Sequence, residues 1–100
     1  MKNAKDELLD HIKYREVGVK YVRITYGRER AYDETGKGVI EGTLDAILPK
    51  LDFKYDDGFG SQYIFGTIWY TDGTWSDRDE HDGSEWWAYR KCPSLPSAAL

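Results

Sequence analysis

The sequence predicts an α+β fold: an antiparallel sheet of about four strands with a C-terminal meander, packed against an N-terminal helix and a short second helix. Three observations predict it. The opening residues carry apolar side chains at helical spacing. The second half holds runs of Ile, Tyr and Trp broken by two Asp-Gly pairs. Between them, "GTLDAILPKL" gathers Leu44, Ile47, Leu48 and Leu51 on one helical face. The 100 residues suit one domain with one core. It is assigned to residues 1–92, with 93–100, "PSLPSAAL", as an irregular tail.

The first helix is expected from Ala4 to Tyr14. Ala4, Leu8 and Ile12 recur every four residues, and Leu9 widens the stripe. Asn3 is a suitable N-cap, and Asp6 and Glu7 fall in the first turn, where negative charge is favoured. His11, beside the solvated face, reads as a surface or rim residue rather than a ligand. "VKYVRITY" then gives a strand over Val19–Tyr26, rich in β-branched and aromatic residues. "GRERAYDETGKG" is charged and flanked by glycine, which marks a loop or hairpin tip around Thr35-Gly36-Lys37-Gly38. A strand at Val39–Glu41 precedes the second helix. Thr43 is placed to cap that helix and Pro49 to truncate it. "DFKYDDGFGSQ" gives a short extended piece and a Gly-rich turn.

From Ser61 onward the pattern is strand, turn, strand, turn, strand. Asp-Gly is the favoured pair for a two-residue type I′ turn, in which both positions have positive φ. Residues 84–91 also carry helix signals: Ser84 as N-cap, Glu85 at the first turn, Arg90 and Lys91 at the last. Trp86, Trp87 and Tyr89 favour a strand, and a strand is the reading adopted. With two-residue turns at both Asp-Gly pairs, Tyr70 faces Trp75 and Trp69 faces Ser76. Across the second turn, Asp79 faces Trp86, Arg78 faces Trp87 and Ser76 faces Tyr89. One sheet face then carries Ile64, Ile68, Tyr70, Trp75, Trp86, Ala88 and Arg90, with Trp86 covering Gly66. The other carries Tyr63, Phe65, Trp69, Arg78, Trp87 and Tyr89, with Arg78 over the Trp87 ring. A sheet this small packs on one side, so one aromatic face is expected to stay uncovered for a partner. Pairing of two copies is the other way to cover it, and helices covering both faces between them is the competing reading.

Charge is unevenly placed. Residues 1–50 hold ten Lys/Arg and nine Asp/Glu, whereas residues 51–100 hold four and nine. Eleven of the fifteen aromatics lie in that acidic half. This argues against direct nucleic-acid binding, which depends on lysine and arginine displacing counterions, and for a basic partner. One cysteine, Cys92, excludes an internal disulfide and a Cys-based zinc site, and fits a reducing cytosol. No signal leader or long apolar run is read, so neither secretion nor membrane association is expected.

"DRDEHD" is the natural place to seek a metal or a catalytic acid. Counted from Asp77, a calcium loop would need an acid at His81, glycine at Asp82 and Glu at Ala88, so the match fails. In a strand, Asp77 and Asp79 share a face about 7 Å apart, at a rise of roughly 3.4 Å per residue. A solvated, strand-protecting acidic edge is the commoner use of such a pair. No Gly-x-Ser-x-Gly elbow is present, and "GFGSQ" lacks the Lys-Ser/Thr ending of a phosphate loop. Neither a catalytic residue, a metal site nor a cofactor is assigned.

"IWYTDGTW", "EHDGSEWW" and "CPSLP", over about residues 64–96, resemble small accessory proteins encoded by bacteriophages and prophages. The resemblance implies the cytoplasm of a bacterial host cell and a non-structural protein that binds and redirects or inhibits a host protein, defence nucleases among them. The residues themselves point to a non-enzymatic binding module. Its anchors are Trp69, Tyr70, Trp75, Trp86, Trp87 and Tyr89. Asp77, Asp79, Glu80 and Asp82 steer it to a host protein with a basic surface, such as a nucleic-acid-binding protein. The competing reading is a small-ligand or nucleotide-sequestering protein that stacks its ligand on aromatics and holds it with Arg23, Arg28 or Arg90.

Overall fold

The computed structural model describes residues 2–27, 38–55 and 62–92. The loop expected around Thr35, the Gly-rich turn at Gly58, Arg28 and the tail 93–100 lie outside these.

The fold is α+β. Strand β1 (Lys2–Asn3) leads into helix α1 (Ala4–Ile12), then β2 (Val19–Tyr26), β3 (Gly38–Gly42), α2 (Leu44–Ile47) and a 3₁₀ turn (Leu48–Leu51). Strands β4 (Lys54–Tyr55), β5 (Ile64–Tyr70), β6 (Trp75–His81) and β7 (Ser84–Arg90) complete it. β3, β2, β5, β6 and β7 lie in that order in one antiparallel sheet, and β1 pairs with β4 separately. The main sheet has five strands rather than about four, because Gly38–Gly42 pairs with β2 along its whole length, Val22 with Gly42 through Tyr26 with Gly38.

Local chemistry explains the elements. The Asn3 side chain accepts a hydrogen bond from Asp6 N at 3.0 Å, which caps α1. The helix ends at Ile12, earlier than Tyr14, as Arg15 N closes a tighter turn on the Ile12 carbonyl at 2.9 Å. Pro49 lies in the 3₁₀ turn that follows the single turn of α2. Residues 84–90 are a strand, so the pull of the tryptophans and the β6 partner outweighs the capping signals. Gly66 sits at φ 157, where a Cβ would run into the Arg23 carbonyl and approach the Ile24 Cα to 3.0 Å. It lets two backbones close together. Trp86 does not cover it; Trp86 pairs with Asp79 and points to the opposite face.

The two Asp-Gly pairs make different turns. At the second, Asp82 (φ 51) and Gly83 (φ 88) both take positive φ, and His81 pairs with Ser84: the expected two-residue type I′ turn. At the first, only Gly73 (φ 86) is left-handed, and Tyr70 N bonds the Thr74 carbonyl at 3.0 Å. Thr71-Asp72-Gly73 is a three-residue loop, a type I turn closed by a glycine bulge. Asp72 holds it, accepting from Thr74 N at 3.0 Å. The extra loop residue shifts the register by one, so Trp69 pairs with Trp75 and Ile68 with Ser76. A one-residue shift exchanges the faces of a strand. The expected partition of the meander into faces is corrected accordingly.

The inner face presents Val22, Ile24, Ile40, Ile64, Ile68, Tyr70 and Trp87 to Ala4 and Leu8 of α1 and to Ile47 and Leu51, and these form the core. α1 and α2 both lie on that side. The outer face carries Tyr21, Arg23, Val39, Glu41, Phe65, Thr67 and Trp69 from three strands. Trp75, Asp77, Asp79, Trp86, Ala88 and Arg90 continue it on β6 and β7.

Candidate functional site

No described element packs on the outer face, and large rings remain in water there. Trp69 is 40% exposed and Trp86 41%, with Tyr21 and Val39 also exposed. Cross-strand register sets the spacing: Tyr21, Trp69, Trp75 and Arg90 form one continuous row across β2, β5, β6 and β7. The Tyr21 and Trp69 rings lie 6.0 Å apart. The bulge in β2 between Val19 and Tyr21 leaves Lys20 without a ladder partner on β5, beside that row. Lys20, Tyr21, Trp69, Thr71, Gly73 and Thr74 border a shallow cleft of about 400 Å³.

The acids of this face are largely claimed. Arg90 Nε donates to Asp77 at 2.9 Å and its terminal nitrogen to Asp79 at 2.9 Å. Arg23 pairs with Glu41 at 3.5 Å. Glu80 and Asp82 are exposed at the tip of the β6–β7 hairpin, where His81 lies 3.4 Å from Asp82. The negative charge open to a partner is therefore at the tip rather than along the strand. Among the described residues, no group of three His, Cys, Asp or Glu side chains is arranged to hold a metal ion.

The sequence-predicted contact set divides into three. Trp69, Trp75, Asp77, Asp79 and Trp86 share the outer face, and Glu80 and Asp82 sit at its hairpin end. Tyr70 and Trp87 are buried in the core, so their rings are packed inside rather than presented as anchors. Tyr89 projects from the inner side at the edge of the sheet, stacked on His11 at 3.9 Å, with its hydroxyl donating to the His11 carbonyl.

Sequence reading missed a buried ionic cluster on the inner face. Arg78 donates to Glu85 at 2.6 Å and lies 3.0 Å from Glu7. Its guanidinium stands 5.1 Å from the Trp87 ring, the expected cation–π pair, but inside the protein. Glu85 also accepts from Tyr63 N at 2.7 Å and Ile64 N at 2.9 Å, tying β7 to the start of β5. Tyr55 donates to Glu7 and accepts from Arg78 at 3.0 Å. Burial, reinforced by the hydrogen bond to Glu7, pushes the Tyr55 phenol well above its ordinary range, so it stays a donor. Burial works against the charge on Arg78, but Glu7 and the Glu85 hydrogen bond outweigh it.

His11 Nε2 lies 2.8 Å from Ser76 Oγ, the spacing of a base and a nucleophile. Ser76 is fully buried, however, and its oxygen also bonds the Tyr70 hydroxyl at 2.7 Å. The contact ties α1 to β6 and offers no access to a substrate. Burial, with Arg78 and Arg15 nearby, holds the His11 pKa down at about 4. Comparison with protein-family models, characterised proteins and solved structures finds no match.

Proposed function

We propose that this chain is a non-enzymatic binding module that docks a macromolecular partner on the outer face of its sheet. The observation that carries the reading is the exposure of Tyr21, Trp69, Trp86 and Val39, with half-buried Trp75 in the same cross-strand row, on the sheet face opposite the core. Rings of this kind are over-represented among residues that dominate binding energy, and contiguous exposed apolar patches mark interaction sites. The partner proposed is a host-cell protein with a basic surface, met by the acidic hairpin tip at Glu80 and Asp82. The phage-like character of the C-terminal third makes a regulator or inhibitor of that protein the biological role to test.

Immobilised protein, exposed to bacterial lysate and read by mass spectrometry, tests this. Wild type and a control at an exposed residue outside both clefts, Leu9→Ala, should retain the same protein. The pair Tyr21→Ala/Trp69→Ala should lose it. Glu80→Gln/Asp82→Asn should retain less and depend less on salt. Equal capture by all four overturns the reading. Sedimentation of a stable dimer that Tyr21→Ala/Trp69→Ala dissolves would assign the face to a second copy instead.

The 400 Å³ cleft beside Trp69 supports a second reading, a small-ligand binder. Its expected arginine contacts are weakened, since Arg23 and Arg90 are already engaged with carboxylates. Stabilisation by nucleotides in a thermal-shift screen would favour it.

A further inference from the structure

A second cleft, of about 260 Å³, opens between α1 and the free edge of β7. Glu7, Asp10, His11, Trp86, Trp87 and Tyr89 line most of it. Two buried polar atoms on its walls lack a hydrogen-bond partner among the described residues: Glu7 Oε2, an acceptor, and Trp87 Nε1, a donor. The Glu7 side chain is only 7% exposed and Trp87 only 6%. Buried polar atoms are rarely left unpaired. This cleft therefore presents an unmet demand for one donor and one acceptor, inside walls made of rings.

Cations in this part of the molecule already seek ring faces. Arg78 stands over Trp87, and Lys13 over Tyr14 at 5.0 Å. Lys2 reaches toward the mouth, but its Nζ stops 3.7 Å from Glu7 Oε2, an ion pair too long to be a hydrogen bond. A buried carboxylate oxygen beside aromatic rings in an open cleft is suited to organic-cation recognition. The low pKa of His11 keeps that wall uncharged near neutrality.

We propose that this cleft receives a lysine or arginine side chain of the partner polypeptide. The cation lies against Trp86 and Tyr89 and donates to Glu7 Oε2, displacing Lys2. A main-chain carbonyl of the partner accepts from Trp87 Nε1. Among the described residues no strand pairs with the outer edge of β7, so an extended segment has room to run along it. The proposal rests on the reading of the chain as a module for a basic protein partner, and it names the group that partner inserts.

The test uses the ¹⁵N-labelled 100-residue chain and the indole N–H resonances of its four tryptophans. The probes are N-acetyl-lysinamide and N-acetyl-argininamide, with N-acetyl-norleucinamide as the neutral control; Trp86→Phe assigns its resonance. Both cations should shift the Trp86 and Trp87 signals saturably, and norleucinamide should not. Trp86→Ala and Asp10→Asn, both at exposed positions, should weaken the cations about two- to fivefold. Lys2→Gln should tighten them, because the competing cation is gone. Tyr21→Ala/Trp69→Ala should leave them unchanged, which separates failure here from failure of the outer face. Equal shifts with norleucinamide, or no shift even in Lys2→Gln, overturn the proposal.

Discussion

β6 and β7 each carry an arginine held between two carboxylates, in opposite surroundings. Arg78 sits between Glu85 at 2.6 Å and Glu7 at 3.0 Å; Arg90 sits between Asp77 and Asp79, both at 2.9 Å. The Arg78 side chain is 1% exposed and that of Arg90 41%. Distance cannot distinguish them, but water can. Two charges at 4 Å attract by roughly 1 kcal/mol in bulk water and about 4 kcal/mol at the effective dielectric near a protein. The buried arginine has also lost its hydration, so its pairing is obligatory. The exposed one can exchange a carboxylate for solvent at little cost. One clasp joins α1, β4, β6 and β7 into a fold, while the other sets the charge of a surface.

The sharpest way to break the comparison is Arg78→Ala. It leaves Glu85 buried without a cation and Glu7 with only Lys2 at 3.7 Å, and should destabilise by about 3–5 kcal/mol in a urea titration. A domain of this kind has only about 5–15 kcal/mol in total. Arg78→Lys should recover little, because one ammonium cannot reach both carboxylates and Tyr55 as the guanidinium fork does. Arg78→Met combined with Glu85→Gln should recover part of the loss, since it removes both charges of the shorter pair. An Arg78→Ala protein as stable as wild type would mean the cluster is open to water.

The next effect is acid sensitivity on the inner side. His11 is held near pKa 4, below its ordinary value of 6.5. Above pH 6.5 the ring is neutral in both folded and unfolded chains, and it adds no pH dependence. Between pH 6.5 and 4 the unfolded chain takes up a proton that the folded one refuses, so stability falls as pH falls. The slope is at most about 1.4 kcal/mol per pH unit, reaching about 3 kcal/mol, less to the extent that water reaches the ring. His11→Gln should flatten that part of a stability–pH curve. An unchanged curve would show that other groups set the acid limit.

Which arginine goes inside was not readable from the sequence, and the reason is specific. β2 was legible to the residue, because six β-branched or aromatic residues fall within its eight positions, between Gly18 and Gly27. The N-cap at Asn3, the type I′ turn at Asp82-Gly83 and the face shared by Arg78 and Trp87 were legible for the same local reason. The first Asp-Gly pair is compatible with a two- or a three-residue loop, and only that choice decides whether Trp75 or Ser76 shares the face of Tyr70. Ile64, Ile68 and Tyr70 make one side of β5 apolar, so β6 must present Ser76 and Arg78 to it. That inward arginine is acceptable only because Glu7, seventy-one positions earlier, arrives on α1. No local pattern announces a partner that distant. Tyr70 and Trp87 read as contact residues on their ring chemistry alone, although the same rings serve equally well as core.

Exchange of the two turn acids tests the register that sorts the arginines. Asp82 occupies a left-handed position, which glycine adopts freely, so Asp82→Gly should leave the melting temperature almost unchanged. Asp72 instead supplies bonds to Thr74 and lies 3.3 Å from Arg15. Asp72→Gly should lower the melting temperature and broaden the amide signals of Trp69 and Trp75, whose pairing the loop fixes. Equal effects at the two sites would contradict the distinction between the turns.

The smallest expected effect on stability is Arg90→Gln, and it is the most informative about function. Both of its pairs are at the surface, so the denaturation midpoint should stay within experimental scatter at any ionic strength. The variant nonetheless uncovers Asp77 and Asp79 in the middle of the aromatic face and makes that face more negative. If the partner is basic, association should accelerate at low salt, and the gain should fade as the Debye length contracts to about 8 Å near physiological ionic strength. A partner that associates more slowly with Arg90→Gln would be acidic at the point of contact, and the assignment of a basic surface to it would fall.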